Sequence, residues 1–402
     1  MGQQSGSNPS GVRRFNERLI LSMLSKHGPL SKTELAQLTN LTKQAVVRIV
    51  DGLAEQGLLL MESKRISGKG RPSELYVLNP KGAYSIGVKV GRREIKMVLM
   101  DITGNIIGKV VDAYSYPEPG KVIDIVKSNL TDLMNMVQPD EQTRVKGLGV
   151  AMPWLLGGWS DGHEMPDSIA RQWKEFDIQE ALQACTELPV LVGNDCTSAA
   201  AAELLFGRGK KYNNYLYVYI DSFIGGGLVL NGNVEMGVNA NSAAIASYPV
   251  SHSRATHLPR PQRTFEVLLN RASLMSLTDY LVDKGYEVEN LAQLQRGIDS
   301  GAYAMDDWVD DCAHALAELV VGSNVLLDYN AVILDINLDG ALMKTIISKT
   351  SDYVDELLER DIYKPELVEG LLGQDAMMVG AAILPFYSHF AADKSVLFKT
   401  GS

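Results

Sequence analysis

An asparagine and an aspartate stand together where a β-rich stretch gives way to an alanine-rich helix. In LPVLVGNDCTSAAAAELLFG the strand pattern stops at Gly193 and the helix pattern begins near Thr197. Asn194 and Asp195 therefore lie at a strand-to-helix junction, where side chains can point into a cleft and a carboxylate can accept a hydroxyl proton. Asn and Asp are also ordinary helix caps, and the spacing alone favours that structural interpretation.

A second group of polar side chains belongs to the helix pattern TKQAVVRIVDGLAEQG, which Thr42 caps. The apolar residues of this segment form one stripe and leave Lys43, Gln44 and Arg48 facing outward. Glutamine can pair bidentately with adenine, and arginine or lysine can bind guanine or a phosphate. Each good base pairing contributes about 1–3 kcal/mol of discrimination. The pattern is typical of a helix that reads DNA, although Lys43 and Arg48 could equally bind phosphate.

The elements around this helix predict a helix-turn-helix. ERLILSMLSKHG reads as a first helix, and Ser31 stands three residues before Glu34, which is a capping-box arrangement. The short helix that follows is expected to turn Leu35 and Leu38 inward, and Thr39-Asn40-Leu41 forms the turn. Two helices joined in this way allow the second, recognition helix to enter the major groove.

A basic hairpin follows the predicted recognition helix. LLLM, the turn KRISGKGRPS and ELYVL are expected to form a two-stranded wing whose lysines and arginine lie against backbone phosphates. The alternative is a small helical domain whose charges only solvate its surface, and the ordered succession of all these elements favours the winged helix. The predicted DNA-binding residues are Lys32, Thr33, Thr42, Lys43, Gln44, Arg48, Lys64, Lys69 and Arg71.

The charge distribution agrees with a DNA-binding N-terminal segment. The whole chain has a formal net charge of -10, yet residues 1–80 carry eleven Lys or Arg against six Asp or Glu. Only this segment suits an approach to a polyanion. Chance remains the alternative for so small an excess. The three cysteines show no CxxC spacing, which argues against a disulfide framework or a cysteine-built zinc site.

The chain is predicted to be a cytoplasmic protein that does not cross a membrane. No apolar run approaches the eighteen residues that a membrane span needs. The N-terminal MGQQSGSNPSG lacks the blocks of a secretory signal and is expected to be a disordered lead-in.

The acidic remainder carries a strand pattern twice. Residues 84–105 give two strands, a tight turn at Gly91-Arg92-Arg93-Glu94, and a second turn at Thr103-Gly104-Asn105. Residues 215–239, YLYVYIDSFIGGGLVLNGNVEMGVN, repeat this layout. The repetition suggests two related lobes, each built on a hairpin sheet and completed by helices, with a ligand cleft between them. Two meanders alone would not prove a duplication.

The combined motifs resemble the ROK family, named for repressors, open reading frames and sugar kinases. The resemblance covers nearly the whole chain and rests on GVRRFNERLILSMLSKHGPLSKTELA, GLGVAMP, PVLVGNDCTSAAAAE, YIDSFIGGGLVLNG, VNANSAAIASYPV and QDAMMVGAAIL. It implies an α/β chain in which an N-terminal winged helix-turn-helix precedes a two-lobed, actin-like (ribonuclease H-like) domain of the sugar-kinase type. The repressor branch of the family has this organisation.

Departures from the kinase members of the family argue against nucleotide binding. Lys89 replaces an aspartate of the first hairpin, and Arg92-Arg93-Glu94 replaces a Gly-Gly-Thr turn that touches ATP phosphates. Asp221-Ser222-Phe223 stands where a second phosphate turn is usually Gly-Thr-Gly. Asp335-Ile336-Asn337 replaces a glycine pair near adenosine. A carboxylate and a bulky ring at these positions should repel and block a triphosphate. The two arginines are therefore expected to form interlobe or interdomain salt bridges, with the binding of an anionic effector as the alternative.

The glycines Gly225, Gly226 and Gly227 are a weak phosphate signal with such neighbours, and close strand packing is the favoured interpretation. The resemblance implies that Asn194 and Asp195 match an Asn-Asp pair that binds sugar hydroxyls. Ala244 stands in place of a sugar-binding glutamate and Ser247 in place of a zinc-binding histidine, so no metal and no cofactor are expected. The predicted effector-binding residues are Trp154, Trp173, Asn194, Asp195 and Asn241, with core packing as the alternative for both tryptophans.

The sequence thus predicts a DNA-binding transcriptional repressor of carbohydrate-related genes, with a catalytically inactive domain that senses a small sugar or a derivative. Its expected partners are double-stranded DNA, a sugar effector and a second copy in a homodimer or higher homo-oligomer. The alternatives are an active ATP-dependent sugar kinase with an attached DNA-binding domain, and a regulator controlled by a protein partner. The expected domains are a lead-in at 1–12, the winged helix at 13–80 and the effector domain at 81–402. In the last, lobe one covers about 83–197 plus a helix at about 375–391, and lobe two about 198–374.

Overall fold

A computed structural model describes residues 9–65, 73–154, 156, 165–253 and 264–390. The chain divides into two units. The first covers Met1–Gly193 and Ala381–Ser402, and the second covers Asn194–Gly380.

The first unit begins with three helices and a small sheet. The elements are α1 Pro9–His27, β1 Leu30–Ser31, α2 Lys32–Thr39, α3 Lys43–Glu55, β2 Leu59–Arg65 and β3 Ser73–Leu78. The strands lie in the order β1-β3-β2, so the two-residue β1 adds a third strand to the predicted hairpin. Helix α1 starts at Pro9, and the helix therefore includes residues 9–12 of the segment that composition suggested was a disordered lead-in.

The caps of α2 and α3 follow the predicted pattern. The Ser31 hydroxyl accepts from the Glu34 amide while the Glu34 carboxylate accepts from the Ser31 amide. The Thr42 hydroxyl accepts from the Ala45 amide at the start of α3. These bonds satisfy amide groups that a helix start leaves without an intrahelical acceptor.

The inward face of α2 differs from the prediction at one position. Leu35, Ala36 and Thr39 are its buried residues, whereas Leu38 is 44% exposed. The expectation that Leu38 faces inward is wrong, because the buried residues repeat at a spacing that turns position 38 away from the core.

The remainder of the first unit is a five-stranded sheet with helices. Its elements are β4 Tyr84–Val90, β5 Glu94–Asp101, β6 Ile106–Ala113, α4 Pro119–Met134, β7 Val145–Met152, α5 Asp167–Glu175, α6 Ile178–Gln183 and β8 Val190–Asn194. The strand order is β6-β5-β4-β7-β8. Strands β4 to β6 form an antiparallel meander, and β7 pairs with β4 in parallel. Every residue of β4 is buried, as expected for a central strand covered on both faces.

The second unit repeats this topology. Its elements are α7 Asp195–Phe206, β9 Tyr215–Ile220, β10 Ile224–Leu230, β11 Asn233–Glu235, β12 Pro249–Val250, β13 Glu266–Val267, α8 Leu274–Asp283, α9 Leu291–Asp299, α10 Asp306–Leu327, β14 Ala331–Ile336, α11 Leu342–Leu357, β15 Glu366–Glu369 and α12 Ala376–Phe390, whose residues from Ala381 onward belong to the first unit. The strand order β11-β10-β9-β14-β15 again joins an antiparallel meander to parallel strands. The duplicated strand pattern read from the sequence is therefore confirmed.

The strand β14 separates two apolar layers of the second unit. Val332, Leu334 and Ile336 belong to a large core with α8, α10 and α11. Ala331 and Ile333 belong to a second core with the tyrosines of β9 and with α7. Alternate residues of a strand point to opposite faces, so each face of this sheet has its own helical cover.

The two units divide the chain at Asn194, and the sequence predicts a lobe boundary near residue 198. The second unit begins at Asn194 rather than at 198, because α7 begins at Asp195 and the expected boundary would cut this helix. The unit ends at Gly380, five residues into α12.

Candidate functional site

The exposed face of α3 carries the polar residues that the sequence singled out. Lys43, Gln44 and Arg48 are exposed, while Val46, Ile49, Val50 and Leu53 form the buried stripe on the other side. The Thr42 cap fixes where the helix begins, and Gly57, with a φ of 73°, follows its end. The result is a short, capped helix that presents polar side chains away from its own core.

Thr33 and Lys32, two of the predicted DNA-binding residues, lie at the start of α2. Thr33 is exposed, whereas Lys32 is half-buried and contacts other residues of the winged helix. The Lys32 Nζ lies 2.5 Å from the Asp51 Oδ1 and 5.1 Å from the Tyr76 ring centroid. Burial opposes the charge on Lys32, but hydrogen bonds to Asp51 and Tyr76 raise its pKa above the ordinary value. Lys32 therefore ties α2 to α3 and β3. Lys64 belongs to strand β2, and Lys69 and Arg71 lie outside the described residues.

Sequence reasoning gave no role to Val47, which is 42% exposed on the same side of α3 as Gln44. A valine outside the apolar stripe of an amphipathic helix was the available signal.

Tyr114 and two lysines of the same unit contact the turn of the first hairpin. The Tyr114 hydroxyl donates to the carbonyl oxygens of Gly91 and Glu94. The Lys96 Nζ lies 2.8 Å from the Glu94 Oε1, and the Lys89 Nζ lies 3.8 Å from the same atom. These contacts stabilise the turn through two lysines of the hairpin and through Tyr114, which follows β6.

Arg93 does not match the interpretation of an interlobe or interdomain salt bridge. Its guanidinium lies over the Tyr116 ring, 4.9 Å from the centroid, and donates to the Ser115 carbonyl oxygen. Both partners follow strand β6 of the same unit.

The second turn, residues 221–223, is held by the elements around it. The amides of Leu274 and Met275, the first two residues of α8, donate to the carbonyl oxygens of Asp221 and Ser222. The Asn337 side-chain amide donates to the Asp221 carboxylate at 3.0 Å. Phe223 packs against the large core. The amides at the start of α8 thus donate to carbonyl oxygens of the turn. In a phosphate-binding loop, such amides would donate to phosphate oxygens instead.

Asp335 lies in the interior of the second unit. It is 2% exposed, and the Tyr217 hydroxyl donates to its Oδ2 at 3.0 Å. Burial and, next, the Glu203 carboxylate raise the pKa of Asp335 to about 7. The sequence assigned Asp335 to the adenosine region as a repelling charge, whereas the structure encloses it beside Tyr217 and Gly370.

Asn194 and Asp195 meet at the junction of β8 and α7, as the sequence predicts. The Asn194 Oδ1 accepts from the Thr197 amide at 3.0 Å and so caps the helix. The Asp195 Oδ1 accepts from the Cys196 amide. Both residues remain partly exposed, so the capping role and contact with a ligand are compatible.

The glycines of β10 bring this helix close to the sheet. A Cβ at Gly225 would lie 2.3 Å from the Cys196 Sγ, and a Cβ at Gly227 would lie 2.6 Å from the Ala200 Cβ. The interpretation of the three glycines as a close-packing device is confirmed for these two positions.

Asn241 lies on a different loop of the second unit and is exposed. Ala240 and Ala243 on either side of it have φ values of 50° and 54°, a conformation that costs non-glycine residues free energy and is concentrated at functional sites. A Cβ at Gly226 would meet the Ala243 carbonyl oxygen, so this loop packs on the face of β10 opposite to α7. The loop that carries Asn241 and helix α7 therefore pack on different faces of β10.

The two tryptophans of the first unit have contrasting surroundings. Trp154 is 47% exposed. Trp173 is 7% exposed, stacks edge-on against Phe176 and donates its indole N–H to the Pro117 carbonyl oxygen. Core packing, the alternative left open by the sequence, describes the environment of Trp173.

Two general features complete this description. Among the described residues, no cluster of three or more His, Cys, Asp or Glu side chains has the arrangement needed to hold a metal ion. In the same part of the chain, no helix combines the length and the apolar character needed to cross a membrane.

The fold and these features define a two-part protein, a winged helix joined to a duplicated, actin-like α/β domain of the sugar-kinase type. A family model described as the ROK family matches residues 85–386, and one described as the MarR family matches residues 14–66. The chain belongs to the ROK family.

Two curated relatives of this chain are named as regulators. The xylose repressor of Bacillus subtilis (strain 168) is 29% identical over 234 residues, which cover 58% of this chain and 59% of that protein. The DNA-binding transcriptional dual regulator NagC of Escherichia coli (strain K12) is 26% identical over 254 residues, 62% of this chain and 61% of that protein. The chain therefore matches about three fifths of the length of these curated relatives.

Solved structures share the fold. A ROK family transcriptional regulator, described as a homolog of the E. coli MLC protein, has a TM-score of 0.68 at 17% identity and covers 94% of this chain and 98% of its own. The ROK hexokinase from Thermus thermophilus has a TM-score of 0.56 at 20% identity and covers 76% of this chain and 98% of its own. Regulators and kinases thus share this architecture.

Proposed function

We propose that this chain is a DNA-binding transcriptional repressor of carbohydrate-related genes, whose ROK domain responds to a small sugar or sugar derivative without phosphorylating it. The observation that carries the proposal is the exposed polar face of α3, on a capped helix within a winged helix, attached to a sugar-kinase-type domain. The names of the relatives, a xylose repressor and a DNA-binding dual regulator, support the same function.

In this proposal α3 is the recognition helix. Gln44 binds an adenine through its side-chain amide, and Arg48 binds a guanine or a phosphate. Thr33, Thr42 and Lys43, at the exposed starts of α2 and α3, contact phosphates and fix the position of α3 in the major groove. Lys64, Lys69 and Arg71, which the sequence assigns to a wing, are proposed to act in the same way. Lys32 has a second, internal role, because its ion pair with Asp51 joins α2 to α3.

The effector is proposed to bind near Asn194 and Asp195, whose partly exposed side chains offer hydroxyl-binding groups at the junction of β8 and α7. Trp154, in the first unit, and Asn241, on a loop that packs on the face of β10 opposite to α7, are exposed and are kept as candidates from the sequence alone. Trp173 contributes through packing, because its indole is buried and bonded. Effector binding has to favour one conformation over another, since equal affinity for both shifts nothing.

The absence of catalysis is proposed from the second turn. The Asp221 carboxylate lies where the kinases of the family have a phosphate turn, and Asn337 and α8 hold it there. A negative charge and the Phe223 ring oppose a triphosphate at this position. A homodimer would present two α3 helices to half-sites separated by about one helical turn or a multiple of it.

An active sugar kinase is the second candidate, and the retained Asp195 at a strand-to-helix junction favours it. Steady ADP production with any sugar, lost in an Asp195→Asn variant, would establish this alternative. If the chain is a regulator without kinase activity, the wild type should produce no more ADP than the Asp195→Asn variant.

The test of the proposed function is a gel shift on the DNA upstream of the gene for this chain, with and without a panel of sugars. We expect a sequence-specific complex that at least one sugar weakens or strengthens. Gln44→Ala and Arg48→Ala should each cost about 1–3 kcal/mol of discrimination, because each removes one pairing group.

Arg171→Ala, which removes an exposed arginine from α5, is the matched control and should leave the complex unchanged. Full affinity and sequence preference in both α3 variants would contradict the assignment of the recognition helix.

A further inference from the structure

Val47 is an exposed apolar side chain outside the buried stripe of α3. Its exposed fraction is 42%, whereas Val46, Ile49, Val50 and Leu53 of the same helix are at most 6% exposed. A β-branched residue on an exposed helical surface has a lower helix propensity than Ala, Lys or Gln. The stability of α3 therefore gives no reason for valine at position 47.

The position of Val47 on α3 is set by helical geometry. It follows Lys43 by one turn, and at 100° per residue it lies about 60° around the helix from Gln44. Lys43 and Gln44 are exposed, so Val47 is part of the same outward face.

Two acidic side chains of α3, Asp51 and Glu55, are exposed on this side of the helix, and Asp51 is paired within the domain. Asp51 lies a turn beyond Val47, and its Oδ1 is 2.5 Å from the Lys32 Nζ. The face around Val47 therefore combines cationic, amide and apolar groups without an uncompensated carboxylate from Asp51. Such a surface is compatible with the major groove, which is lined by phosphates and base edges.

We propose that Val47 is a specificity-determining residue that contacts the 5-methyl group of a thymine in the major groove, at or beside the base pair whose adenine Gln44 binds. The inference rests on the proposed function and extends it to the base composition of the operator. The thymine methyl is the apolar group that a base edge presents in this groove, and apolar side chains recognise it by contact. Gln44 and Val47 together select A·T pairs at adjacent positions of each half-site.

The experiment removes the methyl group from the DNA and the methyl groups from the protein independently. A duplex that the full chain selects from a random pool is used as the probe. Each of its thymines is replaced in turn by deoxyuridine, which pairs as thymine does but lacks the 5-methyl group. Fluorescence anisotropy then gives the affinity of the wild-type chain and of Val47→Ala for each duplex.

The expected result is a coupling between one thymine per half-site and Val47. For the wild-type chain, deoxyuridine at that position should weaken binding about fourfold, which corresponds to the burial of one methyl-sized group. Val47→Ala should weaken binding to the thymine duplex and make it insensitive to deoxyuridine at the same position. Because changes in DNA stiffness affect both chains equally, the difference between them isolates the contact.

Val282→Ala is the matched control, since Val282 is 54% exposed on α8 and the same substitution should leave the deoxyuridine effect intact. A thermal unfolding midpoint of Val47→Ala equal to that of the wild type would establish that the variant is folded. Equal sensitivity of the wild type and Val47→Ala to every deoxyuridine, or no sensitivity in either, would overturn this inference while leaving sequence-specific DNA binding intact. A wild-type chain that selects no sequence would overturn the proposed function, and this inference with it.

Discussion

Asp335 is the residue in which burial most clearly changes chemistry. A carboxyl group with 2% exposure loses the hydration that stabilises its ionised form, and the nearby Glu203 carboxylate acts in the same direction. The hydrogen bond from Tyr217 opposes both effects but does not outweigh them, so the pKa of Asp335 reaches about 7 against an ordinary value of 3.8. Asp335 is thus partly protonated near neutral pH, inside the apolar layer that contains Tyr217 and Ile333.

We expect the stability of the protein to fall with rising pH because of this group. The folded state retains the Asp335 proton up to about pH 7, whereas the unfolded chain releases it near pH 4, so the unfolded state binds fewer protons in this window. The stabilisation that Asp335 gives is complete below the unfolded pKa and is lost as the pH rises through the folded pKa, at a slope of about 1.4 kcal/mol per pH unit at most.

Asp335→Asn should remove this slope while retaining an acceptor for the Tyr217 hydroxyl. Urea unfolding of the wild type and of Asp335→Asn between pH 4.5 and about 8 gives their free energies of unfolding. As the pH rises, the free energy of unfolding of the variant should increase relative to that of the wild type. A difference that stays constant with pH would show that Asp335 has the same pKa in both states.

At the scale of elements, the contact between β10 and α7 holds the Asn194–Asp195 junction against the second sheet. Gly227→Ala would insert a Cβ 2.6 Å from the Ala200 Cβ and 2.7 Å from the Cys196 carbonyl oxygen, where the backbone has to move. We expect a loss of about 1–3 kcal/mol in the free energy of unfolding, measured with denaturant.

Gly52→Ala on α3 is the matched control. A Cβ there meets nothing within 4 Å, and alanine should stabilise the helix by about 0.5–1 kcal/mol. Equal effects of the two substitutions would contradict the account of Gly227 as a close-packing position.

Local signals predicted the elements of the winged helix, and contacts between distant residues could not be predicted. The Ser31–Glu34 capping box and the Thr42 cap lie within a few residues of the groups they bind, so spacing reveals them. The Lys32–Asp51 ion pair joins residues nineteen positions apart and depends on the angle between two helices. Strand β1 has only two residues and exists because β3 pairs with it, which no periodicity over two residues can indicate.

The candidate effector site was predicted to a smaller extent for the same reason. A strand pattern followed by a helix pattern located Asn194 and Asp195 at their junction. Trp173 could have lined a cleft or a core as far as the sequence was concerned, because an indole suits both, and the bond to Pro117, 56 positions away, decides its environment. Asp335 appeared as an acidic residue, and only the fold reveals its enclosure beside Tyr217.

At the scale of the whole molecule, charge and architecture assign different tasks to the two parts of the chain. Residues 1–80 have a net charge of +5, from eleven basic and six acidic residues, and residues 81–402 have -15, from 27 basic and 42 acidic residues, which gives the protein its net charge of -10. The net negative charge of the second part opposes the approach of a polyanion, so the proposed DNA binding is expected to occur through the winged helix. The ROK domain shares its fold with a transcriptional regulator and with a hexokinase, so its architecture serves both kinds of protein.

Sequence-specific recognition through α3 is the central claim, and selection of DNA from a random duplex pool by the full chain tests it most directly. The wild-type chain should enrich a motif with two related half-sites about one helical turn or a multiple apart, and the Gln44→Ala/Arg48→Ala double variant should fail to enrich it. The claim would be contradicted if the wild type enriched no motif, or if the double variant enriched the same one.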